Sequence, residues 1–298
     1  MLCNPVILMV IFSIEHLTRF TVVYRDMKKS LKYRESIGDA RRVVIKIGSR
    51  VLVQKSGRPD KRRMRSLIRE MAIIQKSGCE VVLVTSGAVG AGMEAFGMKE
   101  RPSTLPDLQM AAAVGQTRLM SIYSEMFAKY DCKVGQILLT HANFHHKVRL
   151  TNARRTMENL IRHRVIPIVN ENDVVSDEEI KADITLGDND YLASLVVKLI
   201  RADLLILLTT VDGLREPASK GRTRRIRYLE SITKKTYSFI NKKTSNISTG
   251  GMGTKLKAAE TVSKTGSSVI IANGCKTDVL KGIMNGEDTG TLVLPSGT

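Results

Sequence analysis

Tryptophan is absent from this 298-residue chain, and all aromatics together make up only 4% of it. Cysteine is nearly as scarce, with four residues at 3, 79, 132 and 275. No two of them have the spacing of a zinc knuckle or a redox pair, so reduced thiols in a cytoplasmic protein are expected. Long apolar runs are missing too. The run at 5–14, "PVILMVIFSI", ends at Glu15 and is too short to span a bilayer. No basic residue precedes it and no small-residue cleavage site follows, which argues against a signal peptide. Met27 offers an alternative start, and residues 1–26 are expected to be dispensable. HExxH and any Ser-His-Asp arrangement are lacking. The five histidines include "HANFHH" at 141–146. That group has ligand-like spacing without a partnering Cys or Glu cluster, so a surface or capping role is expected and no resident metal.

Acidic residues are in deficit, 29 against 47 Lys and Arg, which leaves a formal charge of +18. Such an excess points toward polyanionic partners such as nucleotides. Ten Lys and Arg lie between Arg215 and Lys243 against Glu216 and Glu230. Aromatics scarcely interleave there, which disfavours a single-strand nucleic-acid groove. The stretch is expected to be a solvated excursion from the core.

What the chain has is alternation. Short β-rich runs at 43–47, 81–85, 136–140, 165–169, 204–209, 268–272 and 291–295 are continuous in apolar character, as in strands covered on both faces. Helical patterns fall at 60–77, 106–129, 152–163, 189–201, 254–265 and 277–285. Gly78 and Gly266 stand where helices stop. The pattern predicts an α/β fold, a three-layer αβα sandwich around a mainly parallel open sheet. Ligands bind such sheets beyond the carboxyl ends of the strands.

Those ends carry chemistry. Lys46 interrupts an apolar run and is followed by Gly48 and Ser49. A charge there needs a partner, and a nucleotide phosphate would supply one, although an edge strand showing Lys46 to water is the alternative. "TSGAVGAG" (85–92) presents Ser86 and Gly87, suited to the carboxylates of an amino acid. It does not meet the GxGxxG pattern, and its glycines would let a helix start close to a ligand. "NENDVV" (170–175) and "GDND" (187–190) present Asp173 and Asn189, suited to its ammonium and polar groups. Asp188 would cap the helix that follows. Asp190 would hold the two lysines in place or help position magnesium. Thr209 and Thr210 end the fifth run. "TGGMGTK" (249–255) concentrates glycine before a helix: backbone N–H groups approach an anion closely, and the helix N-terminus adds positive potential. It is not a Walker A loop, since GxxxxGK(S/T) is not met. Lys255 in the first turn is unfavourable by itself and is offset by an anionic ligand. Two lysines with an anion cradle suit phosphoryl transfer, which needs mainly positioning and positive charge.

As an ordered set, "VVIKIGSRVL" (43–52), "VVLVTSGAVGAGM" (81–93), "AAAVGQTRLM" (111–120), "NARRTMENLI" (152–161), "VIPIVNENDVV" (165–175), "LGDNDYLASLVV" (186–197), "LLILLTTVDGL" (204–214), "TGGMGTKLKAA" (249–259) and "GTLVLP" (290–295) resemble the amino acid kinase family over about 41–298. Within it they are most similar to the branch that phosphorylates the glutamate side-chain carboxylate. The resemblance implies a glutamate-binding N-terminal part and an ATP-binding part from about residue 200, with residues 1–40 an extension of open role. It implies ATP and Mg2+ as cofactors, proline as a feedback inhibitor and a homo-oligomer, with no membrane or nucleic-acid partner. It gives Lys46, Lys255 and Asp190 catalytic roles. Ser86, Gly87, Asp173 and Asn189 would bind substrate. Lys46, Gly48, Ser49, Thr209, Thr210, Thr249, Gly250, Gly251, Met252, Gly253, Thr254 and Lys255 would bind ATP. Thr210 stands where the family carries Asp, the 174–186 loop is longer by about four residues, and the C-terminal PUA domain of many members is expected to be absent. A relative acting on another carboxylate or phosphate, or an inactive basic regulatory or RNA-binding relative, stays open as an alternative.

Overall fold

In a computed structural model, residues 26–54, 58–175, 189–218, 222–240 and 251–296 are described. Among these described residues the strands are β1 (Arg42–Ile47), β2 (Glu80–Val84), β3 (Val134–Leu139), β4 (Ile166–Glu171), β5 (Leu204–Thr209), β6 (Arg215–Pro217), β7 (Thr223–Arg225), β8 (Tyr228–Leu229), β9 (Ser268–Asn273) and β10 (Thr291–Val293). The helices are α1 (26–35), α2 (Ser49–Leu52), α3 (Lys61–Lys76), α4 (Ala88–Phe96), α5 (Leu105–Ala128), α6 (His141–His145), α7 (Lys147–Arg162), α8 (Asn189–Ile200), α9 (Lys234–Ser238), α10 (Met252–Ser263) and α11 (Val279–Met284).

Eight strands make one sheet in the order β3-β4-β2-β1-β5-β9-β10-β8, and β6 and β7 form a separate hairpin. The pairings from β3 across to β9 are parallel, and β10 runs antiparallel to β9. The seven apolar runs fall on seven strands of this sheet; β1, β2, β5 and β9 are buried on both faces, which accounts for their lack of alternation, whereas the edge strand β3 is only partly buried. One core lies between the sheet and α3, α5 and α11, and takes Val43, Ile45 and Ile47 of β1. The other lies under α7, α8 and α10 and takes Val44. Because side chains alternate along a strand, Lys46 emerges on the Val44 side, beneath α8 and α10. The connection after β1 runs to β2 on one side while β5 lies on the other, so the crevice between β1 and β5 is the switch point of the sheet.

Two parts depart from the sequence pattern. Residues 26–40 form α1 and a 3-10 turn that dock on the C-terminal half. Arg34 is fully buried and donates to the carbonyls of Arg227, Thr289 and Gly290 at 2.9, 2.9 and 3.0 Å. The basic stretch is not simply solvated: Arg225 and Arg227 pair with Asp288 at 2.8 and 3.0 Å, and β8 adds an edge to the main sheet.

Helices α4 and α5 touch backbone to backbone. A Cβ on Gly92 would lie 1.8 Å from the Ala111 carbonyl oxygen, and one on Gly115 would lie 1.8 Å from that of Ala88. Gly115→Ala therefore forces the two helices apart. A loss of about 1–3 kcal/mol or more is expected in denaturant unfolding. Gly251→Ala, where a Cβ meets nothing within 4 Å, is expected to leave the unfolding midpoint unchanged.

Candidate active site

Strand β1 ends at the switch point, where the Gly48 N–H bonds the Leu208 carbonyl at 3.0 Å and ties β1 to β5 beyond the last ladder residues. Lys46 is 5% exposed in this central strand, so the edge-strand alternative does not hold. Its ammonium lies 2.5 Å from Asp190 Oδ1. Asp190, fully buried in the first turn of α8, takes Lys255 on its other oxygen at 2.9 Å. Thr254 donates to the same Oδ2 at 2.9 Å. Lys255 is the fourth residue of α10 and also reaches back to the Gly251 carbonyl at 3.4 Å. The cation at this helix N-terminus, expected to be offset by a ligand, is offset first by Asp190.

Burial alone would push the Asp190 carboxyl up. The two ammonium groups and their hydrogen bonds overcome that and hold it at about 2. Two cations and one anion therefore share a buried site, with net positive charge at the N-terminus of α10.

A second polar group adjoins it. Asn189, 5% exposed, donates to Ser86 Oγ at 3.0 Å and to Asn170 Oδ1 at 3.2 Å. Gly87 takes φ 102°, a left-handed conformation that favours glycine, and starts α4. Asp173 lies in a short 3-10 turn that packs on α5. Thr209 ends β5 opposite Asn273 of β9, with Thr210 exposed beyond it. Gly251, Met252, Gly253 and Thr254 form the start of α10, on the same side of the sheet as Lys46. Thr249, Gly250, Asp188 and most of the 174–186 loop lie outside the described residues. Among the described residues no group of three His, Cys, Asp or Glu is placed to hold a metal, and no helix is long and apolar enough to cross a membrane.

Residues 41–273 match the model of the amino acid kinase family. The chain is 42% identical to glutamate 5-kinase of Clostridium acetobutylicum over 87% of its own length and 96% of the relative's. It is 42% identical to that of Citrifermentans bemidjiense over 89% and 70%, and 41% identical to that of Lactiplantibacillus plantarum over 85% and 96%. The chain belongs to the amino acid kinase family. Among solved structures it is similar in fold to carbamate kinase from Giardia lamblia bound to AMP-PNP, with TM-score 0.58, 19% identity and coverage of 87% and 100%. UMP kinase from Bacillus anthracis gives TM-score 0.56 at 15% identity, with coverage of 86% and 96%.

Two neighbours of the site are not singled out by the sequence pattern. Asn170 and Gln116 are 2% and 8% exposed and joined at 2.8 Å. Both stand inside the family-like blocks, where a polar side chain amid apolar neighbours is the available signal. The histidine cluster divides. His146 caps α7 through Nδ1 at 3.4 Å, as a capping role predicts. His141 is not at the surface: it is 9% exposed and stacked on Tyr191 at 5.4 Å, because α6 tucks it against α8.

Asp190→Asn removes the anion and leaves two buried ammonium groups facing each other. A loss of about 3–5 kcal/mol is expected. Asp190 has its carboxyl lowered from 3.8 to about 2, so its contribution of roughly 2 kcal/mol is present above pH 4 and is lost as pH falls toward 2. Urea unfolding of both proteins across that window is expected to show the wild-type advantage shrinking with acid.

Proposed function

We propose that the chain transfers the γ-phosphoryl group of ATP to the side-chain carboxylate of L-glutamate, forming L-glutamyl 5-phosphate and ADP, the step that opens proline biosynthesis. Identity of 41–42% to glutamate 5-kinases, over 96% of the length of two of them, supports the substrate pair. The single observation that carries the chemistry is the convergence of Lys46 and Lys255 on Asp190 at the switch point.

In this reading a carboxylate oxygen of glutamate attacks the γ-phosphorus. The new O–P bond forms as the bond to the β-phosphate oxygen breaks, and the electron pair leaves with ADP. The attacking group is already ionised at neutral pH, so no general base is needed. The catalytic demand is for fixed positive charge along the path of the phosphoryl group. Lys46 approaches from β1 and Lys255 from α10, while Asp190 keeps each ammonium from swinging away. Phosphate would be received by the N–H groups at the start of α10. Magnesium, when present, would ride on the phosphate oxygens and add charge neutralisation there, since Asp190 is already held by two lysines. Gly48 and Ser49 lie on the phosphate side of the crevice, and Thr209 and Thr210 toward the nucleoside. Ser86, Gly87, Asp173 and Asn189 lie toward glutamate. The N-terminal half thus binds the amino acid and the part after about residue 200 binds ATP. Cytoplasmic location, a homo-oligomer and inhibition by proline belong to the same proposal, supported by the resemblance.

The test is incubation with ATP, magnesium, glutamate and hydroxylamine, which traps the acyl phosphate as a hydroxamate. Glutamate-dependent hydroxamate is expected, and its absence with intact, folded protein contradicts the proposal. Lys255→Ala is expected to lower kcat about 100–1000-fold with little change in glutamate KM; near-normal kcat would remove Lys255 from the transfer step. Asp173→Ala and Asn189→Ala are expected to raise glutamate KM while binding of a non-hydrolysable ATP analogue stays near normal. An equal loss of nucleotide affinity would contradict their placement on the amino-acid side.

A further inference from the structure

Beside the lysine cluster, four polar side chains from four elements form one directional relay. Asn170 Nδ2 on β4 donates to Gln116 Oε1 on α5 at 2.8 Å. Asn189 Nδ2, at the start of α8, donates to Asn170 Oδ1 at 3.2 Å and to Ser86 Oγ at 3.0 Å. Ser86, after β2, gives its proton to the Ile47 carbonyl at 3.3 Å. A hydroxyl has a single proton to give. With that proton on Ile47, Ser86 Oγ accepts from Asn189, and this sets the sense of each amide in turn. Turning any one amide over would face two carbonyl oxygens or two NH2 groups.

The relay leaves two buried atoms without a hydrogen-bond partner: Asn189 Oδ1 and Gln116 Nε2. Their residues are 5% and 8% exposed. Buried polar atoms are ordinarily satisfied, and leaving them unpaired is costly. One is an acceptor and the other a donor, which complements the ammonium and a carboxylate of an α-amino acid. Asn189 adjoins Asp190 in sequence, whereas Gln116 stands two hydrogen bonds further along the relay. The donor is therefore at the end away from the lysines. Gly115 secures this placement, because its missing Cβ lets α5 lie against the Ala88 carbonyl, next to Ser86 and Gly87.

We infer that Gln116 is a specificity-determining residue whose Nε2 receives the α-carboxylate of the amino-acid substrate. Its Oε1, through Asn170, holds the Asn189 amide with Oδ1 turned to the α-ammonium. The inference rests on the glutamate-kinase reading and adds the orientation of the substrate: α-carboxylate at α5, side-chain carboxylate at the lysines.

The test uses the full chain with two acceptors, glutamate and 4-aminobutanoate, which is glutamate without its α-carboxylate. Gln116→Met is expected to raise the KM for glutamate about 10- to 100-fold, the scale of a hydrogen bond to a charged group. The KM for ATP is expected to stay near normal and use of 4-aminobutanoate to fall far less than that of glutamate, since it shares the Asn189 contact but not the Gln116 one, so the preference for glutamate narrows. Gln116→Glu keeps the acceptor for Asn170 but sets a negative charge where the donor was. At mildly alkaline pH it is expected to be worse for glutamate than Gln116→Met. A merely structural role gives the reverse ranking and equal losses for both acceptors, and that result overturns the inference. So does an unchanged glutamate KM in a folded Gln116→Met protein whose wild type is active. If the wild type makes no hydroxamate from glutamate, the functional reading fails and this inference with it. Thermal melting accompanies each variant. Should the Met variant fail to fold, the near-isosteric Glu variant decides the matter through glutamate KM against ATP KM.

Discussion

One buried carboxylate between two ammonium groups is the constraint on which the architecture turns. Taking three charges out of water is costly, and their attraction offsets that cost only when all three are placed accurately. Accuracy comes from rigid elements. Lys46 is fixed by the central strand, with β2 and β5 on either side. Asp190 is fixed in the first turn of α8, and Lys255 in that of α10, where it returns to the Gly251 carbonyl. The cluster joins the half of the chain that precedes α8 to the half that follows, so the path between the proposed substrates runs across it. The net positive charge calls for an anion, which the phosphate of the proposed reaction would supply.

Much of this is legible in the amino-acid sequence. The main strands can be read because burial on both faces makes the central ones continuous apolar runs, and Lys46 can be read because a charge in such a run demands a partner. The glycines around 251 mark the start of α10 because backbone freedom before a helix is otherwise unfavourable. Gln116 and Asn170 leave only a weak signal, a polar residue amid apolar neighbours, and their polarity becomes meaningful once α5 is laid on α4, a contact set by Gly92 and Gly115. Arg34 escapes notice for a related reason. In a chain with +18 charge, one more arginine reads as solvated surface, and only the fold shows it bonding carbonyls from two distant segments. The strands β6 to β8 are too short to carry a periodic signal.

The basic excess also acquires some structure. Arg34, Arg225 and Arg227 gather around Asp288, so part of the charge binds α1 and the 223–229 segment to the last turn before β10. Elsewhere the arginines of α3 stay at the surface, with Arg69 paired to Asp278 at 2.7 Å. The three-layer fold is therefore closed at its C-terminal edge by ion pairs and at its centre by the Asp190 cluster. The two do opposite work: the first fixes chain to chain, and the second would hold charge ready for the proposed transfer.

The central claim is that Asp190 remains ionised between Lys46 and Lys255 in the resting protein. It is tested most directly by following the Asp190 carboxyl carbon by 13C NMR in protein labelled at aspartate, with the resonance assigned by its disappearance in Asp190→Asn. The account predicts no titration of that carbon from neutral pH down to the onset of acid unfolding, as befits a carboxyl held at about 2. A titration midpoint near the ordinary aspartate value of 3.8 while the protein is still folded would contradict it.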